Sequence, residues 1–191
     1  GFSNIRDINL FLKTVEGRLN SISGPKEEIN QALGEAYFFR AYHYFGKLQN
    51  YGDYPIVKEA LPNKEEILVE HAKRQPRNEV ARFILSDLDK AIELLKESTP
   101  RKQRISKNAA RLFRSRVALF EGTFEKYHAG SGRVPGDASW PGKDKEWNKG
   151  KTFNQEAEIK YFLTEAMNDA KLVADATELT PNTGCLLYTS P

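Results

Sequence analysis

A dense run of aromatic residues between Asn30 and Val57 constrains the fold of this chain more than any other feature. Seven rings fall within fifteen residues: Tyr37, Phe38, Phe39, Tyr42, Tyr44, Phe45 and Tyr51. Apolar positions in the run recur at steps of three and four, which is the period of a helix with a buried face. The additional rings leave little of such a helix to face water. The run therefore predicts a helix at the centre of the hydrophobic core, ended by Gly52 and Pro55.

The same apolar period appears once before this run and three times after it. It predicts a helix capped by Ser3, one that begins near Asn78, one capped by Ser106 and one capped by Asn154. The second of these should stop at residues 98–100 and the last at residues 180–184, and the helix capped by Ser106 should turn Leu112 inward. No stretch alternates with period two, so strands should be short or absent. Small residues recur where stacked tetratricopeptide-type (TPR) hairpins approach closely: Ala32, Gly34, Ala36, Ala41, Ala109, Ala110 and Ala118. We therefore expect an all-α fold in which TPR-like helical hairpins form a solenoid.

The composition is that of an ordinary globular chain, whereas both ends of the sequence are unusual. The 191 residues suffice for one core, and the net charge of +3 is too small to indicate a nucleic-acid partner. No apolar run approaches the ~20 residues that span a bilayer. The sequence opens at Gly1 without a methionine, and its last residues, CLLYTSP, fit no earlier pattern. We interpret residues 1–184 as one incomplete region of a larger α-rich domain and residues 185–191 as a non-native or aberrant tail.

No catalytic or metal-binding constellation is recognisable in the sequence. His43, His71 and His128 lie far apart without ligand spacing. No phosphate-binding glycine loop, nucleophile motif or zinc-protease motif occurs. We therefore expect no enzyme, no metal and no cofactor.

Binding is indicated instead by residues 130–150, a loop rich in Gly, Pro, Asp and Lys that carries both tryptophans. Trp140 and Trp147, with Asp144 and Asn148 nearby, combine flat apolar faces with hydrogen-bonding groups. Sugar rings are recognised by such a combination. These four residues are the candidate ligand-binding residues. The alternative is that the tryptophans only fold the loop back onto the core.

Arg40 lies in the aromatic helix, where a guanidinium needs a carboxylate or carbonyl partner. Asp53 and Asp87 are the two candidate partners. This role is structural rather than catalytic, so we expect the Arg40→Ala substitution to lower stability.

The aromatic helix and the turn after it resemble the hallmark of the SusD/RagB-like family, LxEAxFLRAxxYFxL followed by xYGDxPLV. The helix matches at Glu35, Ala36, Arg40, Ala41, Tyr44, Phe45 and Leu48, and the turn matches at Tyr51, Gly52, Asp53, Pro55 and Val57. Residues 84–95, 105–128 and 161–173 are similar to later motifs of the family, in the same order. The match therefore covers most of the chain.

The resemblance implies that residues 1–184 are the N-terminal, TPR-containing region of an outer-membrane lipoprotein. Such a protein is non-catalytic and faces outward. It captures oligosaccharides or other nutrients for a TonB-dependent β-barrel transporter, the SusC-like partner. The lipid anchor and the C-terminal half of the family pattern would then lie outside this sequence.

Two other functions remain open. A TPR-type adaptor that binds a protein in a soluble compartment would be favoured by a cytosolic start of the full-length gene. A glycan-active enzyme would be recognised by turnover of a polysaccharide. A lipoprotein signal ending in cysteine, beside a gene for a TonB-dependent barrel, would favour the nutrient-binding function.

Overall fold

The structure, a computed structural model, describes residues 2–99 and 103–178. Within these ranges the chain forms six α-helices: α1 (Ser3–Glu16), α2 (Lys26–Tyr51), α3 (Glu65–His71), α4 (Arg77–Leu94), α5 (Lys107–His128) and α6 (Gln155–Asp175). The only sheet-type pairing in the described ranges is an isolated antiparallel bridge between Tyr54 and Gln75. The prediction of an all-α fold is thus confirmed. The stacking of the hairpins as a TPR-like solenoid stays a prediction.

Helix α2 forms the centre of the core. It packs against α1 on one side and α4 on another, α4 contacts α5, and α5 packs along α6. Tyr44 and Leu48 are fully buried on α2, and the Tyr44 ring meets Phe83 of α4 edge-on with centroids 4.9 Å apart. Phe45 makes similar edge contacts with Phe113 and Phe120 of α5. Edge-to-face pairs of this kind add to the stabilisation that burial alone provides.

The expectation that little of α2 faces water was wrong for part of the helix. Phe39 and Tyr42 are 44% and 55% exposed, and Tyr51 is 56% exposed. Phe39, Tyr42 and Gln49 follow one another at helical spacing, so they form a stripe that neighbouring helices cover only in part. On α5, Leu112 is likewise exposed although its apolar character predicted an inward position.

Two of the three predicted helix caps are confirmed. Ser106 accepts a hydrogen bond from the Ala109 N–H, and Asn154 accepts one from the Ala157 N–H. Ser3 is no cap, because it lies within the first turn of α1 and Phe2 occupies the cap position without a side-chain bond.

Two helices end earlier than the sequence predicted. Helix α4 ends at Leu94, before the expected stop at residues 98–100. Helix α6 ends at Asp175, before the expected stop at residues 180–184. That expected stop and the tail at residues 185–191 lie outside the described residues.

Arg40 pairs with Asp87 rather than Asp53. Its guanidinium donates to both carboxylate oxygens of Asp87 at 2.7 Å, in a bidentate arrangement. It also donates to Asn9 Oδ1 at 2.8 Å and to the Lys58 carbonyl at 3.2 Å. One buried cation thereby joins α1, α2, α4 and the connection after α2.

Candidate functional site

The end of α2, the segment before α4 and the tryptophan-bearing loop enclose a groove of about 780 Å³. Tyr51, Gly52 and Asp53 contribute one wall, and Arg74 and Arg77 contribute the next. The loop at residues 130–150 supplies the opposite wall, including both tryptophans. Residues from three distant parts of the sequence therefore meet at one place.

The turn after α2 is fixed by glycine geometry and backbone pairing. Gly52 has a φ of +66°, a left-handed conformation that favours glycine, and its N–H bonds to the Leu48 carbonyl. Two residues later Tyr54 exchanges two backbone hydrogen bonds of 3.1 Å with Gln75. Pro55 is buried and lines a separate cavity of about 530 Å³, so it helps to shape the turn without reaching the groove.

Asp53 connects the turn, α4 and the loop. One carboxylate oxygen accepts from the Arg77 N–H at 2.9 Å, and the other accepts from Trp140 Nε1 at 2.9 Å. Burial raises the pKa of Asp53, while these two hydrogen bonds favour its ionised form. The carboxylate thus holds the turn after α2, the start of α4 and the loop together.

Arg77 forms the floor of the groove. Its guanidinium donates twice to Glu121 of α5, at 2.8 and 2.7 Å, with both side chains buried. The guanidinium carbon lies 3.3 Å from the centre of the Phe124 ring, in a cation–π contact. The charge of Arg77 is therefore neutralised within the protein.

Asp137 organises the loop from within. It accepts hydrogen bonds from the backbone N–H groups of Gly130, Gly132 and Val134 and from Gln155 Nε2. Burial opposes ionisation, but these donors outweigh it and lower the pKa of Asp137. The carboxylate thereby gives the loop a defined shape and ties it to α6.

The two tryptophans occupy different environments. Trp140 is only 2% exposed, meets Phe153 edge-on, and lies so close to Gly142 that a Cβ there would sit 2.1 Å from the ring. Trp147 is half-buried and donates its Nε1 to the Arg74 carbonyl at 2.8 Å. Trp140 is therefore buried within the loop and bonded to the turn after α2, whereas part of Trp147 remains accessible.

The structure brings two of the four candidate ligand residues to the groove. Asn148 is buried and donates to the Gly142 carbonyl, and Asp144 is exposed; neither lines the groove. Contact of Trp140, Trp147, Asp144 and Asn148 with a ligand stays a prediction.

Sequence reasoning missed three cationic residues in the groove wall: Arg74, Arg133 and Lys145. Arg74 precedes α4, whereas Arg133 and Lys145 lie far from it in the loop at residues 130–150, so no local pattern marks the three together. Tyr51 was singled out as part of a structural motif, yet its exposed ring also lines the groove.

Two features of residues 2–99 and 103–178 bear on membrane and metal binding. None of the helices described there is long and apolar enough to cross a membrane. The same residues contain no group of three His, Cys, Asp or Glu side chains placed to hold a metal ion.

Comparison with known proteins identifies the family. A SusD-like family model, described as "starch-binding associating with outer membrane", matches residues 1–119. The SusD-like protein P2 of Formosa agariphila is 30% identical over 105 residues, which are 55% of this chain and 20% of that protein.

Solved structures agree in fold. A SusD superfamily protein from Bacteroides fragilis superposes with a TM-score of 0.58 at 22% identity, over 94% of this chain and 30% of that one. A laminarin-binding SusD-like protein gives a TM-score of 0.53 at 22% identity, over 66% of this chain and 26% of that one. The chain thus spans less than a third of the length of these relatives. On the match over residues 1–119, the chain belongs to the SusD-like family.

Proposed function

We propose that this chain is part of a non-catalytic glycan- or nutrient-binding subunit at the cell surface. The subunit captures oligosaccharides and delivers them to a TonB-dependent, SusC-like barrel in the outer membrane. A lipid anchor outside this sequence holds it in the outer membrane, facing outward. The description of the family as starch-binding and associated with the outer membrane supports this proposal. One structural neighbour is named for binding laminarin, which is also a carbohydrate.

The observation that carries the proposal is the groove with two accessible aromatic side chains. Tyr51 is more than half exposed and Trp147 is half-buried, and both line the same 780 Å³ space. Aromatic faces bind the apolar faces of sugar rings, and a groove of this volume accommodates a short oligosaccharide. Asp53 and Asp137 hold the walls in place through at least two hydrogen bonds each, so the site is largely preformed.

The test is affinity gel electrophoresis of the complete protein in a panel of polysaccharides, with the Trp147→Ala variant beside it. We expect at least one polysaccharide to retard the parent, Trp147→Ala to be retarded less, and no polysaccharide to be shortened on incubation. The exposed Tyr127, which lies outside the groove, provides the matched control Tyr127→Ala. Equal retardation of Trp147→Ala and parent would remove the groove from the proposal, and polysaccharide cleavage would contradict the non-catalytic assignment.

A further inference from the structure

We infer that the groove selects an anionic saccharide, one whose rings carry carboxylate or sulfate groups. This inference rests on the proposed function, because it specifies the class of glycan that the same groove binds. It is carried by the charges of the groove walls, which neither the family description nor the names of the relatives specify.

Three cations of the groove wall have no acidic partner among the residues that the structure describes. Arg74, Arg133 and Lys145 are exposed and line the groove. None of them takes part in the ion pairs formed within residues 2–99 and 103–178. Two other lysines of this region are paired: Lys149 with Glu146 at 2.5 Å and Lys151 with Glu79 at 2.7 Å. Unlike these two lysines, the three groove cations remain available to a ligand.

The described groove wall holds too few carboxylates to balance the charge of these three cations. Asp53 is the one acidic residue among those lining the groove in the described part of the chain. Both of its oxygens are occupied by the Arg77 N–H and Trp140 Nε1. Arg77 is balanced separately by Glu121 behind the floor. Three cations against one carboxylate leave the groove wall with a net positive charge, and a concave site with an excess of one sign of charge concentrates ligands of the opposite sign.

The combination of rings and cations suits charged sugars better than neutral ones. The faces of Tyr51 and Trp147 can stack on a pyranose ring. A guanidinium presents N–H donors in a planar fork that matches the two oxygens of a carboxylate or sulfate, and Lys145 adds a point charge. A neutral glycan would leave all three cations without a counter-charge. A uronate or sulfate ester on the stacked ring would place the charge beside them.

The experiment compares polymers that share a backbone and differ in the charged group that it carries. Polygalacturonate is compared with its methyl ester, and dextran sulfate with dextran, by isothermal titration of the complete protein. We expect a charged member to bind about tenfold more tightly than its neutral counterpart, which corresponds to one pairing of ~1.4 kcal/mol. Raising NaCl from ~50 to ~500 mM should weaken that binding, because salt screens exposed charges. Binding of polygalacturonate would indicate that the groove recognises carboxylate groups, and binding of dextran sulfate would indicate that it recognises sulfate groups.

Two triple variants distinguish binding in the groove from non-specific attraction of an anionic polymer to the basic residues elsewhere on the protein. Arg74→Gln/Arg133→Gln/Lys145→Gln removes the groove cations. Lys13→Gln/Arg18→Gln/Lys160→Gln removes three exposed cations outside the groove, with the same change in net charge. We expect the groove variant to lose about tenfold in affinity for the charged polymer and the control to keep the parent's affinity. All six residues are exposed, so both variants should melt at the temperature of the parent.

Each result has a defined meaning. Equal affinity for charged and neutral polymers, or equal loss in both triple variants, would overturn the inference. Binding of only neutral glycans that depends on Trp147 would overturn it while preserving the proposed function. Absence of binding to the charged polymers and to every glycan of the wider panel would overturn both.

Discussion

Arginine–carboxylate pairs between helices are the residue-scale feature that most defines this structure. Arg40 pairs with Asp87, Arg77 with Glu121, and Arg114 with Asp169, in each case across two helices. A buried ion pair contributes little net stability, because desolvation offsets the attraction of the charges. Removing one partner is costly, since the other charge is left buried and alone. These pairs therefore penalise any arrangement of the helices that separates the partners.

The Arg40→Ala substitution should destabilise the protein by about 3–5 kcal/mol, because it strands Asp87 in the core. Burial already raises the pKa of Asp87, and Arg40 is the main group that opposes this. Thermal denaturation of the complete protein measures the effect. Arg18→Ala, at an exposed position, is the control and should melt with the parent. An unchanged melting temperature for Arg40→Ala would contradict the structural role of the pair.

Glu125 is a second residue-scale feature, because its carboxyl group is buried without a donor. It is 1% exposed, and neither of its oxygens meets a hydrogen-bond donor in the described residues. Burial, together with the nearby Glu121 of α5 and Glu158 of α6, raises the pKa of Glu125 to about 9, and Arg77 of α4 opposes the shift. Arg82 of α4 is also close enough to interact with it. We therefore expect Glu125 to take up a proton on folding.

The Glu125→Gln substitution should flatten the pH dependence of stability. The folded pKa lies above the unfolded value, so the parent binds a proton on folding and loses stability as pH rises from the ordinary glutamate range towards 9. The loss is at most about 1.4 kcal/mol per pH unit. Urea titrations at several pH values measure the free energy of unfolding. We expect the free energy of unfolding of Glu125→Gln to rise relative to that of the parent at each higher pH. The control Glu93→Gln, at an exposed position, should show the same pH dependence of stability as the parent. If the stability of Glu125→Gln ran parallel to that of the parent at all pH values, Glu125 would not take up a proton on folding.

At the scale of elements, the crossing of α2 and α4 depends on the absence of a side chain at Gly34. A Cβ at this position would lie 2.9 Å from Leu95 Cγ and 3.2 Å from Leu94 Cβ. Gly46 lies on the same helix, and a Cβ there would meet nothing within 4 Å. Substitutions at these two glycines therefore distinguish the effect of close packing from the effect of helix propensity.

The Gly34→Ala substitution should therefore lower the melting temperature, since overpacking costs about 1–3 kcal/mol. Gly46→Ala should raise it, because alanine stabilises a helix interior by about 0.5–1 kcal/mol relative to glycine. Differential scanning calorimetry of both variants makes the comparison. Stabilisation by both substitutions would mean that α2 and α4 do not cross closely at Gly34.

The tryptophan-bearing loop is an element whose two rings should behave differently. Trp140→Ala should destabilise the protein by about 3–5 kcal/mol and expose the loop to proteases, because the ring is buried and bonded to Asp53. Trp147→Ala should cost ~1 kcal/mol, as is common for a partly exposed residue. Melting temperatures and limited proteolysis distinguish the two. If Trp147→Ala were the more damaging change, the assignment of packing to Trp140 would be wrong.

At the scale of the whole molecule, sequence periodicity predicted the helices better than the site. The apolar period of α2, α4, α5 and α6 is local, so the all-α core could be derived from it. Burial of individual rings depends on neighbouring helices, which is why Phe39 and Tyr42 were misjudged. The groove joins residues from the end of α2, the segment before α4 and the loop. No local sequence pattern indicates that these three segments come together. Trp140 and Trp147 look equivalent in sequence but differ in the groups that cover them.

Hydroxyl-radical footprinting of the complete protein, with and without a saturating glycan, tests most directly whether the groove holds carbohydrate. Tyr51 and Trp147 are accessible in the free protein and should be protected from oxidation when the ligand is bound. Tyr127, which is 75% exposed outside the groove, should react equally in both states. The predicted result is that Tyr51 and Trp147 are protected and Tyr127 is not. Undiminished oxidation of both residues in the glycan-saturated protein would show that the ligand binds elsewhere.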